Sequence, residues 1–257
     1  MSSEAYLALM LDGPMQSWGS GSRFQRRTTG LYPTKSGVIG LICAAMGLAK
    51  GLEPESQVLP RLRDMRMEIV LLPRPKPWIR QPRPGRRSDW LDTRRMEDYH
   101  TVGGGFDREV DPYSVPWTAS GHPDKDPTVS RREYLFDARF GAILAGERDV
   151  LEGGAEKLRN PVWGTWLGRK SCIPAAPVLA GGPFDSPEEA WKALLLAAGL
   201  PLEIPFAGLG SVEEVGPGEG YTISDQPVSF GDGTSSGPDK RQFAVRRIKV
   251  VPGSPPQ

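Results

Sequence analysis

Three stretches of this chain bring together residue types suited to holding a polyanion. The first runs Gly13-Pro14-Met15-Gln16-Ser17-Trp18-Gly19, then Arg23-Phe24-Gln25-Arg26-Arg27, then Tyr32-Pro33-Thr34-Lys35-Ser36-Gly37, and residues 13–52 contain no Asp or Glu. An acid-free loop that supplies guanidinium groups, hydroxyls and aromatic rings and feeds a helix N-terminus offers donors and a positive field to phosphate. Gln16, Trp18, Arg23, Arg26, Arg27, Lys35 and Ser36 are its candidate contact residues. The Gly-x4-Gly-Lys spacing of a phosphate-binding loop is missing, so nucleotide hydrolysis is not expected. Close approach of a glycine-rich backbone to nucleic acid is the functional reading, against a bland one of a turn with solvated arginines.

The second stretch is Asp98-Tyr99-His100-Thr101-Val102. His can act as general acid or base near neutral pH, and with Tyr99 it could serve a metal-free ribonuclease. Neighbours on an extended strand point to opposite faces, however, so stacking, hydrogen bonding or a structural role compete with catalysis. The third stretch is Trp163-Gly164-Thr165-Trp166-Leu167-Gly168-Arg169-Lys170. Rings between glycines followed by two cations suit unpaired bases and their phosphates, although the rings alone read better as core packing. Arg131-Arg132-Glu133-Tyr134 and Arg241-Gln242-Phe243 would extend the basic surface if folding brings them alongside. No Ser-His-Asp set, paired-carboxylate pattern or metal-ligand cluster stands out, and no cofactor is expected.

The elements that must position these residues are legible in part. Residues 5–11 (AYLALML) read as a buried strand, and Thr34 or Ser36 caps an apolar helix, VIGLICAAMGLA, that Gly51 should stop. Residues 65–71 alternate as a second strand, which suggests a βαβ-type unit. Residues 73–87 (PRPKPWIRQPRPGRR) carry six basic residues, five prolines and no acid, the composition of an extended arm rather than of a core. A strand is expected at 134–140, a weak helix near 149–159, and a helix opened by Ser186-Pro187-Glu188-Glu189 and ended by Gly199. A last strand is expected at 242–251 before a frayed tail at 252–257.

The chain has 257 residues, 38% hydrophobic and 25% charged, which excludes a fibrous or wholly disordered protein. Its net charge of +1 hides segregation: residues 61–100 hold eleven Lys or Arg against six acids, and residues 201–240 hold seven acids against Lys240. Basic blocks in a neutral total suggest a polyanion surface and a separate acidic region, solvated or facing protein. Two cysteines and two histidines exclude a disulfide framework and a His-rich metal site. No run approaches the ~18 apolar residues of a membrane span, and the N-terminus lacks a signal peptide, so no membrane partner and a cytoplasmic location are expected.

Taken in order, GPMQSWG, the Tyr32-to-Gly37 helix start with its Gly-x-x-Gly-x-x-x-Ala-x-x-Gly run, DYHTV, REYLFDA, WLGRKSC and RQFAVR resemble the CasD family of type I-E CRISPR Cascade subunits. The resemblance spans roughly residues 5–52, 97–102, 131–140, 163–180 and 241–247. It implies an α+β, RRM-like (ferredoxin-like) fold with a protruding β-hairpin thumb within about 73–130. That places an RRM-like core in 1–200, interrupted by the thumb, and a C-terminal segment in 201–257 with an acidic loop and a final strand on the core. It also implies a non-catalytic subunit that grips the 5′ handle of the CRISPR RNA, contacts the backbone subunit CasC, lies near the large subunit CasA, and meets target DNA through the complex. Carried over residue by residue, the handle would be held by Gln16, Trp18, Arg23, Arg26, Arg27, Lys35 and Ser36, with Tyr99, His100, Arg169, Lys170 and Arg241 as further candidates. The competing readings are a metal-independent endoribonuclease cutting repeat RNA, built on Tyr99, His100 and a lysine such as Lys170, and a generic RNA-binding accessory protein.

Overall fold

The computed structural model describes residues 4–19, 25–80, 86–102, 128–204, 209–231 and 241–253. The first element, β1 (Glu4–Asp12), explains the rest, because it is buried on both faces. Leu7, Leu9 and Leu11 enter one core and Ala8 and Met10 another on the opposite side, the period-two alternation of a strand. After the short β2 (Met15–Gln16) and β3 (Arg26–Arg27) come α1 (Lys35–Met46), α2 (Glu53–Asp64) and β4 (Arg66–Leu71). A long hairpin, β5 (Arg94–Val102) and β6 (Thr128–Phe136), precedes β7 (Arg139–Glu147), α3 (Arg148–Arg159), β8 (Leu179–Phe184) and α4 (Pro187–Ala197). The chain closes with β9 (Ser211–Glu214), β10 (Tyr221–Ser229) and β11 (Gln242–Val251).

Seven strands form one antiparallel sheet in the order β10-β11-β9-β4-β7-β1-β8. The expected βαβ unit is split: β1 and β4 run parallel, but β7 lies between them and pairs with both. Helices α1 and α3 cover one face, packing Val38, Ile39, Ile42, Leu151 and Ala155 on the Leu7/Leu9/Leu11 side, and α4 covers the other with Ala190, Leu194 and Leu195. The protein is therefore a mixed α+β fold on antiparallel sheets. A second, smaller sheet is built around β6, which pairs with β5 along its length, with β3 at its middle and with β2 at its end.

Several elements differ from their sequence expectation for identifiable reasons. The single strand expected at 134–140 is two strands, because Asp137 turns the chain at φ 58°, a left-handed conformation Asp tolerates. Helix α1 stops at Gly47 (φ 71°), whose N–H reaches the Ala44 carbonyl, and not at Gly51. Thr34 is its cap, accepting from the Gly37 N–H, and Ser186 caps α4 as expected while Glu189 reaches back to the Asp185 N–H. Helix α2 and strands β8, β9 and β10 were not expected. The Pro/Arg arm begins anchored: Lys76 N–H donates to the Asp89 carbonyl and Leu91 N–H to the Arg74 carbonyl, pinning its two ends together, while residues 81–85 lie outside the described residues. Gly103-Gly104-Gly105, the run 111–127 and most of the tail also lie outside them. Among the described residues no helix is long and apolar enough to cross a membrane.

Candidate nucleic-acid interface

The loop 13–19 is a structural corner before it is anything else. Trp18 is fully buried, its indole N–H donates to Gln16 Oε1 at 3.0 Å, and its ring packs where any Cβ on Gly37 would fall, 2.8 Å away. Gln16, also fully buried, uses its amide to donate to the Leu11 and Ala138 carbonyls at 2.8 and 2.9 Å. Ser17 N–H donates to the Leu167 carbonyl, and Gly168 (φ 94°) lets the 163–172 loop lie against it, since a Cβ there would sit 1.8 Å from the Ser17 carbonyl oxygen. The corner thus seats both the first turn of α1 and the loop that carries Arg169 and Lys170.

Lys35 is drawn inward as well. It is 1% exposed, and its ammonium lies 3.2 Å from Glu214 of β9. Arg246 of β11 is gripped by Asp225 of β10 at 2.6 and 2.9 Å and approaches Glu214 at 3.4 Å. The other Asp225 interaction fills the helix terminus, because one of its carboxylate oxygens accepts the Lys35 backbone N–H at 2.8 Å. Burial pushes the Lys35 ammonium below the usual lysine range, with Glu214 opposing. Three of the expected contact residues, Gln16, Trp18 and Lys35, thus lie inside the fold with protein partners for their polar groups, and the α1 N-terminus holds the protein's own carboxylate where a phosphate was expected. Part of the acidic segment 201–240 is thereby explained as the internal counter-charge for Lys35 and Arg246.

What the structure gathers instead is a cleft of about 1200 Å³ between the start and inner face of α1, the 163–170 loop and the β10–β11 pair. Of the expected contact residues, Ser36, Arg27, Arg169, Lys170 and Arg241 line it, together with part of the buried Trp18. Arg27, Lys170 and Arg241 are exposed there, and among the described residues no carboxylate lies within ion-pair distance of them. Arg169 is a clamp: its guanidinium donates to the Glu133 carbonyl at 3.2 Å and to the Arg27 carbonyl at 2.8 Å while covering the Tyr134 ring at 5.0 Å. Lys170 sits over Trp166 at 5.7 Å. Trp163, Tyr221 and Phe243, each about half exposed, give the cleft open aromatic faces. Lys50, Tyr221 and Phe230 also line it and were missed; single cations and rings carry no motif of their own.

Tyr99 and His100 do not line the cleft; they lie on β5, Tyr99 two-thirds exposed and His100 3.9 Å from Asp98. Arg26 pairs with Glu97 and Glu133 of the hairpin at 3.8 and 3.9 Å. Arg23 lies outside the described residues.

The family model described as "CRISPR-associated protein (Cas_Cas5)" matches residues 6–249. The CRISPR system Cascade subunit CasD of Escherichia coli (strain K12) is 29% identical over 259 positions, covering 97% of this chain and 96% of that one. A chain of a solved CRISPR RNA-guided surveillance complex superimposes with TM-score 0.67 at 26% identity, covering 98% of this chain and 91% of its own. A solved structure described as that of a Cas protein matches with TM-score 0.55 at 25% identity, covering 98% and 100%. This chain belongs to the Cas_Cas5 family of CRISPR-associated proteins.

Proposed function

We propose that the chain is a non-catalytic subunit of a type I-E Cascade complex, cytoplasmic, that binds and caps the 5′ handle of the CRISPR RNA in the cleft between α1, the 163–170 loop and β10–β11. The observation that carries this is the meeting of Arg27, Lys170 and Arg241, which have no carboxylate within ion-pair distance among the described residues, with the aromatic faces of Trp163, Tyr221 and Phe243. An unpaired, bent RNA needs cations for its phosphates and flat faces for its bases, and sequence-tolerant stacking adds about 1–3 kcal/mol per base. Similarity to CasD along nearly the whole chain supports the same reading.

The spatial order β4-β7-β1-β8, with α1 between β1 and β4 and α3 between β7 and β8 in the chain, supports reading the core as RRM-like. The β5–β6 hairpin is the element that would serve as thumb. CasC and CasA are the protein partners this reading assigns, with target DNA met through the complex. Among the described residues Tyr99 and His100 lie on the hairpin beside Asp98 and do not line the cleft that holds Lys170, which favours the binding reading over cleavage.

The test is incubation of the purified chain with labelled CRISPR repeat RNA in EDTA, beside a His100→Ala variant. Salt-dependent binding without cleavage is expected from both. Metal-independent cleavage lost in His100→Ala would make the chain a processing nuclease and overturn the proposal.

A further inference from the structure

We propose that Lys50, Lys170 and Arg241 form one phosphate-binding site within the cleft, with Lys50 as its central cation. The inference rests on reading the cleft as an RNA groove and assigns it a specific anion subsite. The three residues come from distant parts of the chain: Lys50 from the turn between α1 and α2, Lys170 from the loop after α3, and Arg241 from the start of β11. All three are exposed and line the same walled space, and among the described residues none has a carboxylate within ion-pair distance. Lys35 and Arg246, by contrast, are matched inside the fold by Glu214 and Asp225. A trio left unmatched in a concave site is instead complementary to an anion.

Partial burial of its stem first, then the nearby charge of Arg241 and, more weakly, of Lys170, push the Lys50 ammonium below the usual lysine range. Only Glu55 opposes this shift. That carboxylate is 4% exposed and takes the Gly51 N–H on Oε2 at 2.6 Å, while its Oε1 has no partner. It therefore fixes the turn that carries Lys50 from beneath and supplies a through-space counter-charge without occupying the ammonium. A phosphate bound to the trio would offset part of this positive charge, with Arg241 able to donate in parallel to two oxygens and the lysines acting as point charges. The phosphate could be an internal phosphodiester or a 5′-terminal group; both present the same anionic oxygens.

The experiment measures affinity of the full chain for a short single-stranded oligouridylate over a range of KCl concentrations, with 5′-hydroxyl and 5′-phosphate forms compared. Each phosphate contact contributes about 0.7 to the slope of log affinity against log salt for single strands. Lys50→Gln should lower that slope by about one contact, Lys50→Arg should restore it, and Lys192→Gln, an exposed lysine on α4 across the sheet, should leave it unchanged. The loss appearing with both oligonucleotides assigns the site to an internal phosphodiester; the loss appearing only with the 5′-phosphate form assigns it to the terminus. A wild-type slope in Lys50→Gln overturns the phosphate site while leaving the groove intact. Absence of salt-dependent binding in the wild type overturns the groove itself, and the site with it.

Discussion

Asp225 lies 190 residues beyond Lys35, yet its carboxylate accepts the Lys35 backbone N–H at 2.8 Å and so caps the first turn of α1 from strand β10. The same carboxylate holds Arg246 on β11 through two hydrogen bonds. The two walls of the cleft, α1 on one side and β10–β11 on the other, are thereby joined through one buried side chain, 6% exposed.

Replacing Asp225 by Ala should cost about 3–5 kcal/mol of unfolding free energy, because it leaves the buried Arg246 with Glu214 at 3.4 Å as its one remaining carboxylate among the described residues and takes the acceptor from the Lys35 N–H. Urea unfolding of the two proteins measures this. A loss under about 1 kcal/mol would show that the joint is not structural.

Trp18→Ala should cost about 3–5 kcal/mol through the cavity it leaves beneath Gly37 and the loss of a partner for Gln16 Oε1. Since the ring is fully buried, the salt dependence of RNA binding under conditions where the variant stays folded should match wild type. A change in that slope would return Trp18 to the contact surface.

Arg169→Lys should behave almost as Arg169→Ala. The guanidinium reaches two carbonyls on different elements, Glu133 of β6 and Arg27 of β3, and lies across Tyr134, and an ammonium cannot reproduce that fork. Hydrogen bonds from a charged donor are worth about 1.5–3 kcal/mol each at most, so both variants should lose stability and the hairpin's hold on the cleft. Thermal melting and RNA affinity, measured together, decide it; full rescue by lysine would show that charge alone matters.

How far these relationships could be read from sequence differs by element. Strand β1 was legible because a strand buried on two faces is a continuous apolar run, and α4 because Ser186, Pro187 and Glu189 write a helix start in side-chain chemistry. Helix α2 was not, since Leu52 offers no cap and Pro60 sits inside it. Strand β8 hides in Leu179–Phe184 because its two glycines carry no pattern. At the site, residue types pointed to the right region but not to the direction each side chain takes. Lys35 and Arg241 look alike as isolated cations, and only the pairing of β9, β10 and β11 puts carboxylates beneath one and leaves the other at the cleft. Glu214 and Asp225 read as a loose acidic segment until the sheet order places them against α1.

Cys43 gives a pH prediction with a definite sign. Burial, helped by the negative charge of Glu55, raises its thiol from near 9 to about 12 in the folded chain. The folded state therefore holds this proton more tightly than the unfolded state. The resulting stability is fully present below about pH 9 and is lost as the pH climbs from there toward about 12, by about 1.4 kcal/mol per pH unit. Unfolding measured across that window should fall less steeply in Cys43→Ala than in wild type; parallel curves would contradict the assignment.

The most direct test of the central claim is to crosslink 4-thiouridine-substituted repeat RNA to the chain by light and to map the attached peptides by mass spectrometry. The account predicts attachment at the cleft, on the peptides carrying Trp163 and Trp166, Tyr221, and Arg241 with Phe243. Attachment confined to the α4–β8 face, with the cleft peptides unmodified, would contradict it.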